Sequence, residues 1–196
     1  RNGSGKTTLG KVLTGLIPCK DGRFVVAGSQ VRQKRLSDYA YFVMQEADHQ
    51  LYKESAVEEL RLGNERTSDI DERIAGILDM LNLTDFAQHH PYALSGGQKQ
   101  RLTIGTAMAS SKPIVVLDEP TSGLDWGNMC AVAQAINLLR ESERLVFVIT
   151  HDIELVDLTA TRVLALAEGR IADDFPLSSQ AALERTRQIM LGGGLL

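Results

Sequence analysis

The run Asn2-Gly3-Ser4-Gly5-Lys6-Thr7-Thr8 sets a lysine and two hydroxyls directly behind a glycine-rich turn. Gly5-Lys6-Thr7 supplies the end of the pattern G-x-x-x-x-G-K-[ST], a phosphate-binding loop. Glycines let successive backbone N–H groups curl toward one anion. The helix that follows adds the positive end of its dipole. Lys6 is a point charge for the β- and γ-phosphates of a triphosphate, and the Thr7 hydroxyl is a hard oxygen ligand for Mg2+. The first glycine of the pattern would fall one residue before Arg1, so the chain is expected to be a piece of a longer one.

Two further stretches carry complementary chemistry. Ile114-Val115-Val116-Leu117 is an apolar strand that delivers Asp118-Glu119 to the carboxyl edge of a sheet, where ligands bind. Asp118 would hold Mg2+, directly or through water, opposite Thr7, and Glu119 would polarise an attacking water as general base. Leu94-Ser95-Gly96-Gly97-Gln98 places a serine at a helix N-cap with two glycines behind it. That is a second anion site at a helix N-terminus. One triphosphate does not need two such sites in one fold, so the second is expected to cover the γ-phosphate of a nucleotide held by another subunit.

These residues need elements to position them. A helix is expected over 6–16, ending near Gly15 with Pro18 beyond it. A short strand over 23–27 is closed by Gly28-Ser29, and Val31 opens the next. The apolar run 39–44 reads as a buried strand ending at Gln45. From there to about Ser111 the pattern is helical: 55–61 with Ser55 and Glu58 as a capping box, 71–81 with Ile74, Ile77, Leu78 and Leu81 on one face, and about 97–110. A strand over 114–117, a helix over 127–141, a strand over 145–149, a hairpin over 163–172 and a weaker helix over 178–190 complete the chain. The tail 192–196 has no readable structure. Apolar strands alternating with helices imply an α/β fold, a mainly parallel sheet flanked by helices. The stretch 46–111 looks like a helical subdomain inserted into that core.

Composition narrows the class. A net charge of −4 over 196 residues does not favour nucleic acid as a partner. Cys19 and Cys130 lie far apart in no metal or redox spacing and read as two reduced thiols. His49, His89 and His90 have no partner at metal-ligand spacing. No apolar run approaches the roughly 18 residues of a membrane span.

In order and spacing, the phosphate loop, Gln45, Leu94-Ser95-Gly96-Gly97-Gln98, Asp118-Glu119, Ser122-Gly123-Leu124-Asp125 and His151 resemble an ATP-binding cassette (ABC) ATPase over residues 1 to about 172. The resemblance implies a P-loop NTPase core, ATP and Mg2+ as ligands, and a head-to-tail pair of cassettes sandwiching two nucleotides. Lys6 and Thr7 of one cassette would face Ser95, Gly97 and Gln98 of the other. Gln45 resembles the residue that reaches Mg2+ and the attacking water. Asp125 resembles the aspartate that crosses the interface, and His151 the histidine that contacts the γ-phosphate. The strand before the loop and the aromatic that stacks on adenine lie upstream in the family. The chain alone is therefore expected to fold poorly and bind ATP weakly.

A finer resemblance lies in Met44-Gln45-Glu46-Ala47-Asp48-His49-Gln50-Leu51-Tyr52 followed by Ser55-Ala56-Val57-Glu58-Glu59-Leu60. This is similar to the ATPases of energy-coupling factor (ECF) importers, which take up vitamins and transition-metal ions. It implies a peripheral subunit on the cytoplasmic face of the cell membrane. Its partners would be a transmembrane coupling protein, docked near 48–52, and a substrate-binding membrane protein. The second cassette could be a separate chain or part of the same one. The alternative is a soluble, non-transport cassette ATPase of DNA repair, chromosome handling or translation. That class calls for coiled-coil insertions, zinc-binding cysteine pairs or a basic surface, and none is present in these residues.

Overall fold

A computed structural model describes residues 3–64 and 68–192; Arg1, Asn2, residues 65–67 and the tail 193–196 lie outside the described residues. In chain order the elements are α1 (Lys6–Leu13), β1 (Phe24–Val26), β2 (Ser29–Val31), β3 (Ala40–Val43), α2 (Ala56–Arg61), α3 (Ile70–Met80), α4 (Gly96–Ala109), β4 (Ile114–Asp118), α5 (Trp126–Glu141), β5 (Leu145–Ile149), α6 (Ile153–Thr159), β6 (Arg162–Ala167), β7 (Arg170–Pro176) and α7 (Gln180–Met190).

The apolar strands form one parallel sheet in the order β3-β4-β5. Tyr41 pairs with Val115 and Val115 with Val146, so the central strand is flanked on both edges. Val115, Val116 and Leu117 are fully buried, which is why this stretch reads as continuously apolar rather than alternating. Helix α1 lies across all three strands at Gly10. A Cβ there would come within 2.9 Å of Ile149, 3.0 Å of Val116 and 3.1 Å of Phe42. Only glycine allows the helix to approach this closely, and the approach fixes where the preceding loop sits on the sheet.

Helices α2, α3 and α4 fall between β3 and β4 and share a core of Leu60, Ile74, Ile77, Leu81, Leu102 and Ile104. Helix α4 is buried from Gln100 to Ala109, so its sequence shows no single apolar stripe. Two guanidiniums close its C-terminal carbonyls. Arg73 donates to the Met108 carbonyl at 2.7 Å and Arg144, just before β5, to that of Ala107 at 2.8 Å. The second thus ties the end of α4 to the amino edge of the sheet.

Three local expectations are corrected. Helix α1 spans Lys6–Leu13 rather than reaching 16; it does end near Gly15 as expected, with Thr14 as C-cap and Gly15 (φ 78) taking the left-handed turn that stops it. Residues 24–31 form one antiparallel hairpin rather than the start of two separate strands, since Ala27 (φ 47) and Gly28 (φ 78) take the left-handed turn of a two-residue loop. Helix α6 is absent from the sequence reading. It is short, and its start is set by Asp152, whose carboxylate accepts from the N–H groups of Glu154 (3.1 Å) and Leu155 (3.3 Å). The remaining helices and strands agree within one to four residues at their ends.

Among the described residues, β6 and β7 pair only with each other. An open cavity of about 470 Å3 is lined by Leu9, Leu13, Phe147 and Ile149 on one side and Leu164 and Leu166 on the other. The turn at Gly169 closes over the phosphate loop, with its N–H donating to the Ser4 carbonyl at 3.3 Å.

Candidate functional site

The predicted phosphate loop sits at the carboxyl edge of the sheet, at the head of α1. Gly3 (φ 83) and Gly5 (φ 94) take left-handed backbone, Gly5 being the N-cap of α1. A side chain at either would be strained in this conformation. Ser4 is buried and its hydroxyl accepts from Nζ of Lys6 at 3.2 Å. Thr8 is exposed at the loop's outer side. Asn2 lies outside the described residues.

Thr7 and Asp118 come together although 111 residues separate them in the sequence. The Thr7 hydroxyl donates to Oδ1 of Asp118 at 3.1 Å. Asp118 closes β4 and is buried. Burial is the main influence on its carboxyl and pushes its pKa up. The Thr7 hydrogen bond opposes this, Glu119 adds to it, and Lys11 and Lys6 oppose it. A buried carboxyl held toward its neutral form is one that a cation would help to ionise. Among the described residues no three His, Cys, Asp or Glu side chains converge as a protein-only metal cage. A hydroxyl and one carboxylate are hard oxygen donors that fit Mg2+, which is held by one or two protein oxygens together with phosphates and water.

Glu119 follows directly. Its backbone is left-handed (φ 49), an uncommon conformation for a non-glycine residue, and its N–H donates to the Ile149 carbonyl at 2.8 Å, so the β4–β5 ladder pins it. Its carboxylate meets His151 just beyond β5, with Nδ1 and Oε2 2.8 Å apart. The carboxylate is largely covered, whereas the His151 ring is 79% exposed. Gln45, two residues past β3, is exposed in a bend and makes no hydrogen bond among the described residues. The structure therefore joins Thr7 to Asp118 and Glu119 to His151, but does not link Gln45 to either pair.

The Ser95 element is built as expected. The Ser95 hydroxyl accepts from the Gln98 N–H at 3.3 Å, and Oε1 of Gln98 accepts from the Ser95 N–H at 2.8 Å, a complete capping box. At the Ser55 cap only the hydroxyl half is present, with Oγ 3.2 Å from the Glu58 N–H. Gly96 is exposed, and Gly97 packs so closely that a Cβ would lie 3.1 Å from the Asn128 side chain.

Asn128 is a residue that sequence reasoning does not single out. Its N–H and Nδ2 donate to the two oxygens of Asp125 at 2.8 and 2.9 Å, and its Oδ1 accepts from Nη1 of buried Arg101 on α4. These bonds, those of Asn128 foremost, hold the Asp125 carboxyl below the ordinary range. Asp125 is thereby locked beside the Ser95–Gln98 turn. The signal in the sequence is slight: an asparagine three residues after an N-cap aspartate.

With this geometry in view, the comparisons with known proteins are consistent. A family model described as ABC transporter matches residues 1–122. A putative ABC transporter ATP-binding protein of Treponema denticola is 39% identical over 184 residues, covering 94% of this chain and 38% of that protein. A putative HMP/thiamine import ATP-binding protein of Bacillus subtilis is 32% identical, covering 88% of this chain and 32% of that protein. Two solved structures share the fold. CbiO1 from Clostridium perfringens, part of the ABC transporter complex cbiONQ, has a TM-score of 0.80 at 23% identity over 98% of this chain and 82% of its own. The cassette MJ0796, solved as a dimer, has a TM-score of 0.76 at 28% identity over 91% of this chain and 83% of its own.

The α/β core, with a phosphate loop at the head of α1 and an acidic pair at the end of β4, defines a P-loop nucleotide-binding protein. The chain belongs to the ABC transporter family, and the first curated relatives it matches are named as putative ABC transporter ATP-binding proteins. It spans about two fifths of the length of the first curated relative it matches.

Proposed function

We propose that the protein is the ATP-hydrolysing subunit of a membrane importer, of the ECF type for vitamins or transition-metal ions. The observation that carries the catalytic part is the convergence of Thr7 with Asp118 and of Glu119 with His151 at one sheet edge. Residues 1–196 form one cassette, with 46–111 as the helical subdomain inserted in its core.

In this reading Asn2, Gly3, Ser4, Gly5 and Thr8 offer donors to the phosphates, and Lys6 neutralises the β- and γ-oxygens. Thr7, Asp118 and Gln45 hold Mg2+, which when bound supplies charge neutralisation on the phosphate oxygens. Glu119 accepts the proton of the attacking water through its carboxylate. His151, with its ring exposed and its carboxylate partner fixed, contacts the γ-phosphate. Ser95, Gly96, Gly97 and Gln98 supply donors to the nucleotide of a second cassette, and Asp125 crosses between the two. The dimeric state of the similar cassette MJ0796 supports this pairing.

The membrane side of the reading rests on the segment after Gln45. Tyr41, Met44, Gln50, Tyr52 and Leu62 line a groove of about 230 Å3, and Tyr52 is 66% exposed. Such a groove suits the helical ends of a transmembrane coupling protein, itself joined to a substrate-binding membrane protein. Among the described residues no helix is long and apolar enough to cross a membrane. In this reading the subunit sits peripherally on the cytoplasmic face through its membrane partners. The description of the Bacillus relative as a putative import ATP-binding protein supports the direction of transport. The test is recovery of the tagged protein from detergent-solubilised cells. Integral membrane proteins should accompany it in fixed ratio; recovery with ribosomes or DNA instead would overturn the importer reading.

A further inference from the structure

Asn128, the third residue of α5, stands where three groups meet. Its backbone N–H donates to Oδ1 of Asp125 at 2.8 Å and its Nδ2 to Oδ2 of the same carboxylate at 2.9 Å. Its Oδ1 accepts from Nη1 of Arg101, a buried guanidinium on α4 whose Nε is fixed on the Leu81 carbonyl at 2.9 Å. Its Cγ lies against Gly97, where a Cβ would come within 3.1 Å. The direction of the amide is dictated from both sides. A guanidinium only donates and an ionised carboxylate only accepts, so Nδ2 faces Asp125 and Oδ1 faces Arg101.

The helix cap does not need this side chain. Capping of α5 uses the Asn128 N–H, which any residue but proline supplies. The bonds of the amide are additional, and they join two separate parts. One is α4, which carries the Ser95–Gln98 turn; the other is the turn before α5, which carries Asp125. Asp125 is exposed, and hydrogen bonds at an exposed group add little net stability. What they remove is the freedom of its carboxylate, both oxygens of which are held. Aspartate at 128 would keep an acceptor for Arg101 but set a like charge against Asp125. Leucine would fill similar space and offer neither bond. A short primary amide serves both partners.

We propose that Asn128 is a positioning residue for ATP hydrolysis. It aims the Asp125 carboxylate from the same base that holds the Ser95–Gln98 turn, so that both meet the second cassette in one fixed relation. The inference rests on the pairing put forward above, and it gives Asn128 no contact with nucleotide. Its whole effect on turnover passes through Asp125.

The test is steady-state ATP hydrolysis by the complete protein carrying N128A, N128D, D125S or N128A with D125S, where serine at 125 retains a helix cap. Rates are referred to the fraction of protein that binds ATP in titration, so that lost folding does not register as lost turnover. N128A should lower kcat about tenfold with KM for ATP unchanged. N128D keeps the cap and the acceptor for Arg101, yet should lose at least as much. In the D125S background N128A should add less than about twofold, because the group it aims is gone. Unchanged kcat in D125S and S95A alike would sink the pairing reading and this inference with it. If D125S lowers turnover while N128A and N128D do not, the pairing stands and the positioning role is refuted. The same holds if the loss from N128A persists in full beside D125S, since Asn128 would then act by another route.

Discussion

Glu119 and His151 meet across the carboxyl ends of β4 and β5, with Oε2 and Nδ1 2.8 Å apart. The two side chains differ in freedom. The glutamate is pinned by a left-handed backbone and by its bond to Ile149, while the imidazole stands in solvent. In the proposed mechanism the histidine is therefore the partner that turns from the carboxylate to the phosphate. His151→Ala should lower kcat for ATP about 100-fold, the usual cost of removing one preorganised donor, with KM changed little. Steady-state ATPase assays decide it; a rise in KM at constant kcat would make His151 a ground-state binding residue only.

Asp118 gives a pH dependence with a definite sign. Its folded pKa lies above the unfolded value, mainly through burial. The stability it contributes is therefore fully present below the ordinary aspartate pKa and is lost as pH rises through the raised folded value. In chelator, denaturant unfolding should show the wild type losing stability over that window relative to Asp118→Asn, which cannot ionise. The variant should also fail to gain stability from Mg-ATP. Parallel stability curves for the two proteins would rule out this role of the buried charge.

The Ser95 cap separates structure from function. Ser95→Ala removes the bond to the Gln98 N–H and should cost about 1 kcal/mol of stability. ATP affinity of the unpaired cassette should hold, because its own phosphate loop is intact. Turnover by the pair should fall at least about tenfold, more than the cap loss predicts for a folded protein. Isothermal titration and ATPase rates on the same preparation distinguish the two effects; unchanged turnover would leave Ser95 a cap and nothing more.

Glu59 is buried on α2, and its Oε1 accepts the N–H groups of both Tyr52 and Lys53. Gln50 secures the other side of that loop, accepting from the Met44 N–H at 2.9 Å. Glu59→Leu strands two amides and should cost about 2–4 kcal/mol. Glu59→Gln keeps one acceptor oxygen for both and should cost less than half as much. Chemical denaturation, with hydrogen exchange at Tyr52 and Lys53, measures this. Equal losses in the two variants would show that the charge, not the acceptor, matters.

Much of the site is legible from short-range rules. Gly5-Lys6-Thr7, the capped Ser95 turn and the apolar strand ending in Asp118-Glu119 each declare a local structure, and each forms where expected. The pairings across space are less legible. Thr7 reaches Asp118 only because Gly10 lets α1 lie flat on three strands, and the sequence marks that glycine no differently from others. Asn128 and Glu59 act through bonds to distant elements and leave no periodic signal. The hairpin at 24–31 and helix α6 escape the pattern because each is short, so a positive-φ turn or one capping aspartate decides it. Gln45 is legible only by its place in the motif series, since its side chain bonds to neither pair.

The most direct measurement is ATP hydrolysis by the complete protein carrying Glu119→Gln. The carboxylate is read as the base that takes the proton from water, so turnover should fall by about 100-fold or more, while ATP binding and nucleotide-driven pairing persist. Turnover at the wild-type rate would contradict the assignment of Glu119 and the catalytic geometry built on it.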